Sequence, residues 1–311
     1  MKLSQLIAYR NAIQNFSVND IQISATMELD KIMHEVDMAR IPLPANTDLE
    51  KNLNNINLSF GMFKQNLDML RVQINAKIKL LEKPYLQDSY DFYNNEIRKD
   101  SVEHILNRKT SVSVESEELM HSRVKYYSDW RYPGLLFRPG TNTFIEHMVS
   151  YDPLYLIDDN HDLLAPSMVQ FPEQYQKRLC TYYINEDSEK FIADIPDNQF
   201  GICVAYDFFN FKPIEILKQY LIEIYQKLRP GGVLCMTFND CDHVAAMILV
   251  ENYFGCYTPG RLVLDIIDNI GFELLYEWHK PGEPVTWLEL RKPGKLTSLR
   301  GGQTLAKIVR K

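Results

Sequence analysis

From about Trp130 onward, short apolar runs alternate with amphipathic stretches, and Pro and Gly mark the joints between them. This alternation constrains the fold more than any other feature. Parallel strands need long crossovers, so apolar runs separated by helical patterns predict an α/β domain with a largely parallel sheet. The runs are "GLLF" (Gly134–Phe137), "LYLI" (Leu154–Ile157), the start of "RLCTYYINED", Phe200–Tyr206 and Val233–Phe238. A short helix follows the second run. Before the last comes "PIEILKQYLIEIYQKL", whose Ile214, Leu217, Leu221, Ile224 and Leu228 share one helical face. Arg229-Pro230-Gly231-Gly232 stops that helix. Helices over Val244–Tyr253 and Pro259–Asn269 come next, the second closed by Gly271. "FELLYEWHKPGEPVTWLELRK" reads as two strands around a Pro-Gly-Glu-Pro turn, an antiparallel hairpin.

The first 125 residues differ in character: polar, helical, with Gly61 as their single glycine. Leu49, Leu53, Ile56, Phe60, Phe63, Leu67, Leu70 and Ile74 are spaced 4-3-4-3-4-3-4, and Ile78 and Leu81 continue the stripe. That heptad seam predicts one long helix over about 49–81, capped by Thr47 or Asp48 and ending at Pro84. Two arrangements suit it equally: a helical hairpin with earlier helices of the same chain, or a coiled coil between chains. Leu3–Gln14 and Ala25–Ala39 read as shorter amphipathic helices, with "RIPLPAN" (Arg40–Asn46) as a connector. The expected organisation is a helical region (1–125), an α/β domain (126–292) and a basic tail (293–311).

The remaining totals narrow the function. A net charge of −7 disfavours non-specific nucleic-acid binding by the whole surface. No apolar run reaches eighteen residues, so no membrane partner is expected, and the N-terminus does not read as a signal peptide. Five scattered cysteines without a C-x-x-C pair argue against a structural zinc site or a disulfide framework and for a cytoplasmic setting, with no metal expected. "RKPGKLTSLRGGQTLAKIVRK" carries seven Arg and Lys and no acid, which suits an acidic partner or a solvated terminus.

Chemistry concentrates where the apolar runs end. "LLFRPGTNTF" (Leu135–Phe144) is a strand, a tight loop and a helix start, the layout of many nucleotide sites, but Gly140 is its only glycine. Asp158 lies twenty residues beyond Arg138, about where a nucleotide's ribose hydroxyls are gripped in doubly wound sheets. Taken alone, Asp158 and Asp159 read rather as a solvated turn after a strand.

The ordered set, with "LRPGGVL" before a strand, then a helix, "GFELL" and a terminal hairpin, resembles the class I S-adenosylmethionine-dependent methyltransferases. "IPDNQFG" (Ile195–Gly201) matches a further turn of that family, and the resemblance covers roughly Gly134–Lys292. It implies a Rossmann-like seven-stranded sheet with its last strand antiparallel, and S-adenosylmethionine lying across the carboxyl ends of the first strands. It implies methyl transfer to an acceptor that the sequence does not identify. By position, Arg138, Pro139, Gly140, Thr141 and Asn142 occupy the glycine-rich cofactor loop, and Asp158, with Asp159 beside it, the place of the ribose-binding acid. Glu186 or Asp187 falls near the acid that approaches adenine, and Tyr206 and Asp207 where acceptor and methionine end meet.

The loop departs from the family's pattern of apolar-apolar-acid-apolar-Gly-x-Gly-x-Gly. Leu136 replaces the acid, Arg138 the first glycine and Asn142 the third. Asn tolerates left-handed backbone angles, so Arg138 is the serious departure; it would either clash with the cofactor or grip its carboxylate. Asp207, in "DFFNF", and His243, in "NDCDH", are the candidate catalytic residues, although a His that opens a helix also serves as a cap. The rival expectation is a methyltransferase-fold structural or assembly protein without activity, working through its helical region and tail. A nicotinamide enzyme is disfavoured because the loop lacks G-x-G-x-x-G.

Overall fold

The computed structural model describes residues 2–14, 16, 47–99, 102–107, 112–141, 144–169 and 171–295. The expected helix at Ala25–Ala39, the connector Arg40–Asn46, Asn142 and nearly all of the basic tail lie outside the described residues. The chain divides into two compact units, Met1–Lys83 and Pro84–Lys311.

The first unit holds α1 (Leu3–Gln14) and most of α2 (Thr47–Asn95). The 49–81 stretch is one unbroken helix, and a Cβ on Gly61 within it would meet nothing within 4 Å. Helix α2 meets the chain's own N-terminal segment through Arg71, next to the seam, and through the seam residue Phe63. Arg71 Nη2 donates to the Ile13 carbonyl at 2.9 Å, and the Phe16 ring stands edge-on to Phe63 at 6.1 Å. The expected stop at Pro84 is corrected: the helix runs through it to Asn95. Proline removes one N–H and crowds the carbonyl four residues back. The following turns are nevertheless fastened: Ser89 Oγ accepts the Tyr257 N–H at 2.6 Å, and Tyr93 is buried.

The second unit continues with α3 (Val102–Asn107) and α4 (Val114–Tyr126) and then enters the sheet. In chain order come β1 (Gly134–Phe137), α5 (Ile145–Met148), β2 (Leu154–Asp158), α6 (His161–Val169), α7 (Glu173–Gln176), β3 (Leu179–Tyr183) and β4 (Phe200–Ala205). After these follow α8 (Ile214–Lys227), β5 (Leu228–Asn239), α9 (Val244–Glu251), α10 (Gly260–Ile270), β6 (Glu273–His279) and β7 (Val285–Arg291). The sheet order is β3-β2-β1-β4-β5-β7-β6. Strands β1 to β5 are parallel, and β7 runs antiparallel to both β5 and β6. This is the seven-stranded Rossmann-like methyltransferase arrangement, with its terminal hairpin and a helical N-terminal region before it. The order reverses between β1 and β4, so the carboxyl ends of β1, β2, β3 and β4 surround one crevice, the usual ligand position in such sheets.

Period-two alternation distributes the strands between two cores. Leu135 and Phe137 join Cys203, Leu234 and α8's Leu217 and Leu221 on one face. Leu136 joins Val204, Cys235 and Trp287 on the other, with Met120 and Val124 of α4. Leu136 is wholly buried in this second cluster. On the α4 side Glu289, wholly buried in β7, accepts Arg123 through both carboxylate oxygens at 2.5 and 2.6 Å.

The "RPGG" turn forms the start of β5 instead of a loop before it. Gly231 has φ 82°, and its N–H meets the Lys292 carbonyl at 2.8 Å. A Cβ on Gly232 would lie 2.6 Å from the Phe200 carbonyl oxygen, a backbone atom held in the β4–β5 pairing. Gly232→Ala is therefore expected to destabilise the protein by about 1–3 kcal/mol, read as a lowered midpoint of urea unfolding.

Candidate functional site

The crevice begins at Arg138, directly after β1. Its φ is 49°, in the left-handed region, so the first-glycine position keeps a glycine-like backbone with an arginine in it. The guanidinium is buried. Its Nη2 is 2.8 Å from Asp159 Oδ1, its Nε is 3.8 Å from Asp158 Oδ1, and it lies 5.0 Å over the Phe208 ring. Gly140 keeps the loop tight against α6: a Cβ there would lie 2.8 Å from the Leu163 carbonyl oxygen. The chain's own backbone thus covers the loop at Gly140.

Lys212, after β4, reaches into the same crevice and is 2% exposed. Its ammonium donates to the Tyr93 hydroxyl at 2.7 Å, to Glu186 Oε1 at 2.6 Å and to Asp159. Three protons meet three acceptors, so the ammonium is saturated. Glu186 also accepts the Tyr93 and Tyr220 hydroxyls, each at 2.5 Å. At the rim Arg98 pairs with Asp187 at 2.8 Å.

Burial and charge divide the carboxylates. Burial pushes the Asp158 carboxyl up to about 8, against the pull of Arg138 and with the help of the neighbouring Asp159 charge. Burial would raise Asp159 too, but Lys212 and Arg138 overcome it and hold that carboxyl well below the usual range. Burial would lower Lys212, yet Asp159 and Glu186 raise it, so it stays charged. The crevice therefore contains a compensated ionic cluster that bridges the ends of β1, β2, β3 and β4.

A cavity of about 110 Å³ remains beside the cluster. Arg138, Asp159, Glu186 and Asp187 line it, so four of the residues expected from sequence come together. Pro139, Gly140, Thr141, Asp158, Tyr206, Asp207 and His243 do not line it. Asp158 has no exposed surface; Tyr206 is buried with its ring 4.9 Å from Phe144. Asp207, buried and at φ 53°, donates its backbone N–H to Thr237 Oγ1 at 2.7 Å. His243 stacks on His279 with ring centroids 3.5 Å apart, and its Nε2 is 3.6 Å from Asp240 Oδ2. Sequence reasoning missed Lys212, Tyr93, Tyr220 and Arg98. For Lys212 a signal existed: a lone cation among the aromatic residues of "DFFNFKP" directly after a strand. For Tyr93, which arrives from the end of α2, there was none.

Among the described residues, no helix is long and apolar enough to cross a membrane. No protein-family model and no curated protein matches the chain. Solved structures do. One is a possible exported protein of Bordetella parapertussis, 11% identical over 58% of this chain and 68% of that one, with a TM-score of 0.46. A second is an S-adenosylmethionine-dependent methyltransferase of Methanosarcina mazei, 13% identical over 56% and 98%, with a TM-score of 0.43. A third is an S-adenosylmethionine-dependent methyltransferase of Mesorhizobium loti, 10% identical over 55% and 96%, with a TM-score of 0.43.

Proposed function

We propose that the Pro84–Lys311 unit keeps the methyltransferase sheet but has closed its cofactor crevice, and that the protein acts as a structural or assembly component without methyl transfer. The burial of Asp158 carries this reading. A ribose-binding acid has to be reached by two hydroxyls, and Asp158 is sealed beneath Arg138. S-adenosylmethionine does not fit the residues present. Arg138 and Lys212 fill the path across the strand ends, and the Leu163 backbone stands over Gly140. The space left, about 110 Å³, is below the roughly 300 Å³ of small cofactor pockets.

The second reading is S-adenosylmethionine-dependent methyl transfer to an acceptor of unknown identity, with Asp207 or His243 assisting. One observation favours it: Asp159, Glu186 and Asp187 border a single cavity at the carboxyl edge of the sheet, where the family binds its cofactor. Calorimetric titration with S-adenosylmethionine and S-adenosylhomocysteine separates the two readings. The expected result is no binding heat at millimolar ligand. Micromolar binding that disappears in Asp158→Ala would overturn the structural reading and restore the enzymatic one.

A further inference from the structure

Helix α2 carries a second apolar stripe that the heptad seam does not include. Leu58, Met62, Met69 and Val72 are 65%, 59%, 57% and 68% exposed. With Gln65 between them, they repeat at spacings of 4, 3, 4 and 3. At about 100° per residue the stripe lies roughly 200° around the helix from the seam residues Ile56, Phe60, Phe63 and Leu67. A helix apolar on two opposite sides is built to be covered on both. The chain's N-terminal segment meets the seam side, through Phe63.

The stripe is nearly symmetric about Gln65. Leu58 and Val72 lie seven residues before and after Gln65, and Met62 and Met69 lie three before and four after. Turned end over end about Gln65, the pattern falls nearly on itself, with each Met beside a Met and Leu beside Val. The flanking positions Ser59, Gly61, Asn66, Asp68, Gln73 and Asn75 carry one charge between them, on Asp68. In the antiparallel register Asp68 falls near Gly61 of the second copy, so no like charges face each other. Gly61 costs an exposed helix about 1 kcal/mol relative to Ala, and nothing lies within 4 Å of where its Cβ would be. A neighbouring helix passing close by explains a glycine there.

We propose that this stripe is a self-association surface on which a second copy of the chain docks antiparallel, about a two-fold axis at Gln65. The contact is isologous, as a closed dimer requires. The stripe is about 21 Å long on a helix about 10 Å across, so it buries less than the roughly 800 Å² per partner of a standard stable interface. The dimer therefore forms reversibly with concentration. The inference is independent of whether the sheet edge takes a cofactor.

Sedimentation velocity of the full chain between about 1 and 100 μM is expected to show a monomer–dimer equilibrium. Met62→Lys combined with Met69→Lys should abolish the dimer while leaving far-UV circular dichroism and the unfolding midpoint unchanged, because both side chains are exposed. Orientation is read by cysteine crosslinking, with the wild type as blank. Under mild oxidation Gln65→Cys should form a covalent dimer and Leu58→Cys should not, whereas mixed Leu58→Cys and Val72→Cys chains should. A wild type that stays monomeric throughout, or a folded double-lysine variant that still dimerises, overturns the surface. Equal self-crosslinking of Leu58→Cys and Gln65→Cys overturns the antiparallel register.

Discussion

Lys212→Met should lower the unfolding free energy by about 3–5 kcal/mol, the usual cost of removing one partner from a buried ionic group. The ammonium touches Asp159, Glu186 and the Tyr93 hydroxyl together. Methionine has similar length and fills the volume, so the loss is electrostatic and not a cavity effect. Asp159 and Glu186 then lack the ammonium between them, and their mutual repulsion adds to the loss of attraction. Urea unfolding with an unchanged slope measures it. Adding Glu186→Gln to Lys212→Met should recover part of the loss, because the second change removes one of the stranded charges. The size of the effect also bears on function. A loss under about 1 kcal/mol, the value of solvated ion pairs, would mean that water fills the crevice, which is the condition for a cofactor to enter it.

Much of the architecture was legible in the sequence because it rests on short-range patterns. The period-two and 3.6-residue repeats after Trp130 located the strands and helices, and "RPGG" and the Pro-Gly-Glu-Pro turn marked where the sheet is re-entered and reversed. Boundaries were less legible: β5 begins at Leu228 and takes in the Pro-Gly-Gly segment, because backbone pairing with Lys292 continues through it. Pro84 misled, since a penalty of one lost hydrogen bond is local while the anchoring of Ser89 and Tyr93 comes from distant residues. The site was half legible. Arg138 stood out because it occupies a position that needs a left-handed backbone. Its partners could not be read, because whether an arginine grips a ligand or fills the ligand's place depends on Lys212 and Tyr93, 74 residues after it and 45 before it. The second stripe of α2 was legible in spacing and was hidden by the stronger seam on the opposite side of the helix.

Asp158→Asn should become progressively more stable than the wild type as pH rises. Asp158 is buried, and its carboxyl keeps a proton in the folded protein up to about pH 8, whereas an unfolded aspartate loses it near pH 4. Between these values the folded state binds the extra proton, so raising the pH favours unfolding. The stability that Asp158 contributes is complete below pH 4 and drains away toward pH 8. The slope for one proton is about 1.4 kcal/mol per pH unit. Asparagine does not titrate, so the difference between variant and wild type should be small at pH 4, grow through pH 5 to 7 and level off above pH 8. Asp159 runs in the opposite sense: held low by Lys212 and Arg138, it supports the fold above pH 4 and loses that contribution only in acid. The two neighbours therefore act in separate windows, and subtracting the variant's pH profile from the wild type's isolates Asp158. A difference that stays flat from pH 4 to 8 would mean that Asp158 is ionised in the folded protein. An ionised Asp158 would be an acceptor for ribose hydroxyls, and the closed-crevice reading would then lose the residue on which it rests.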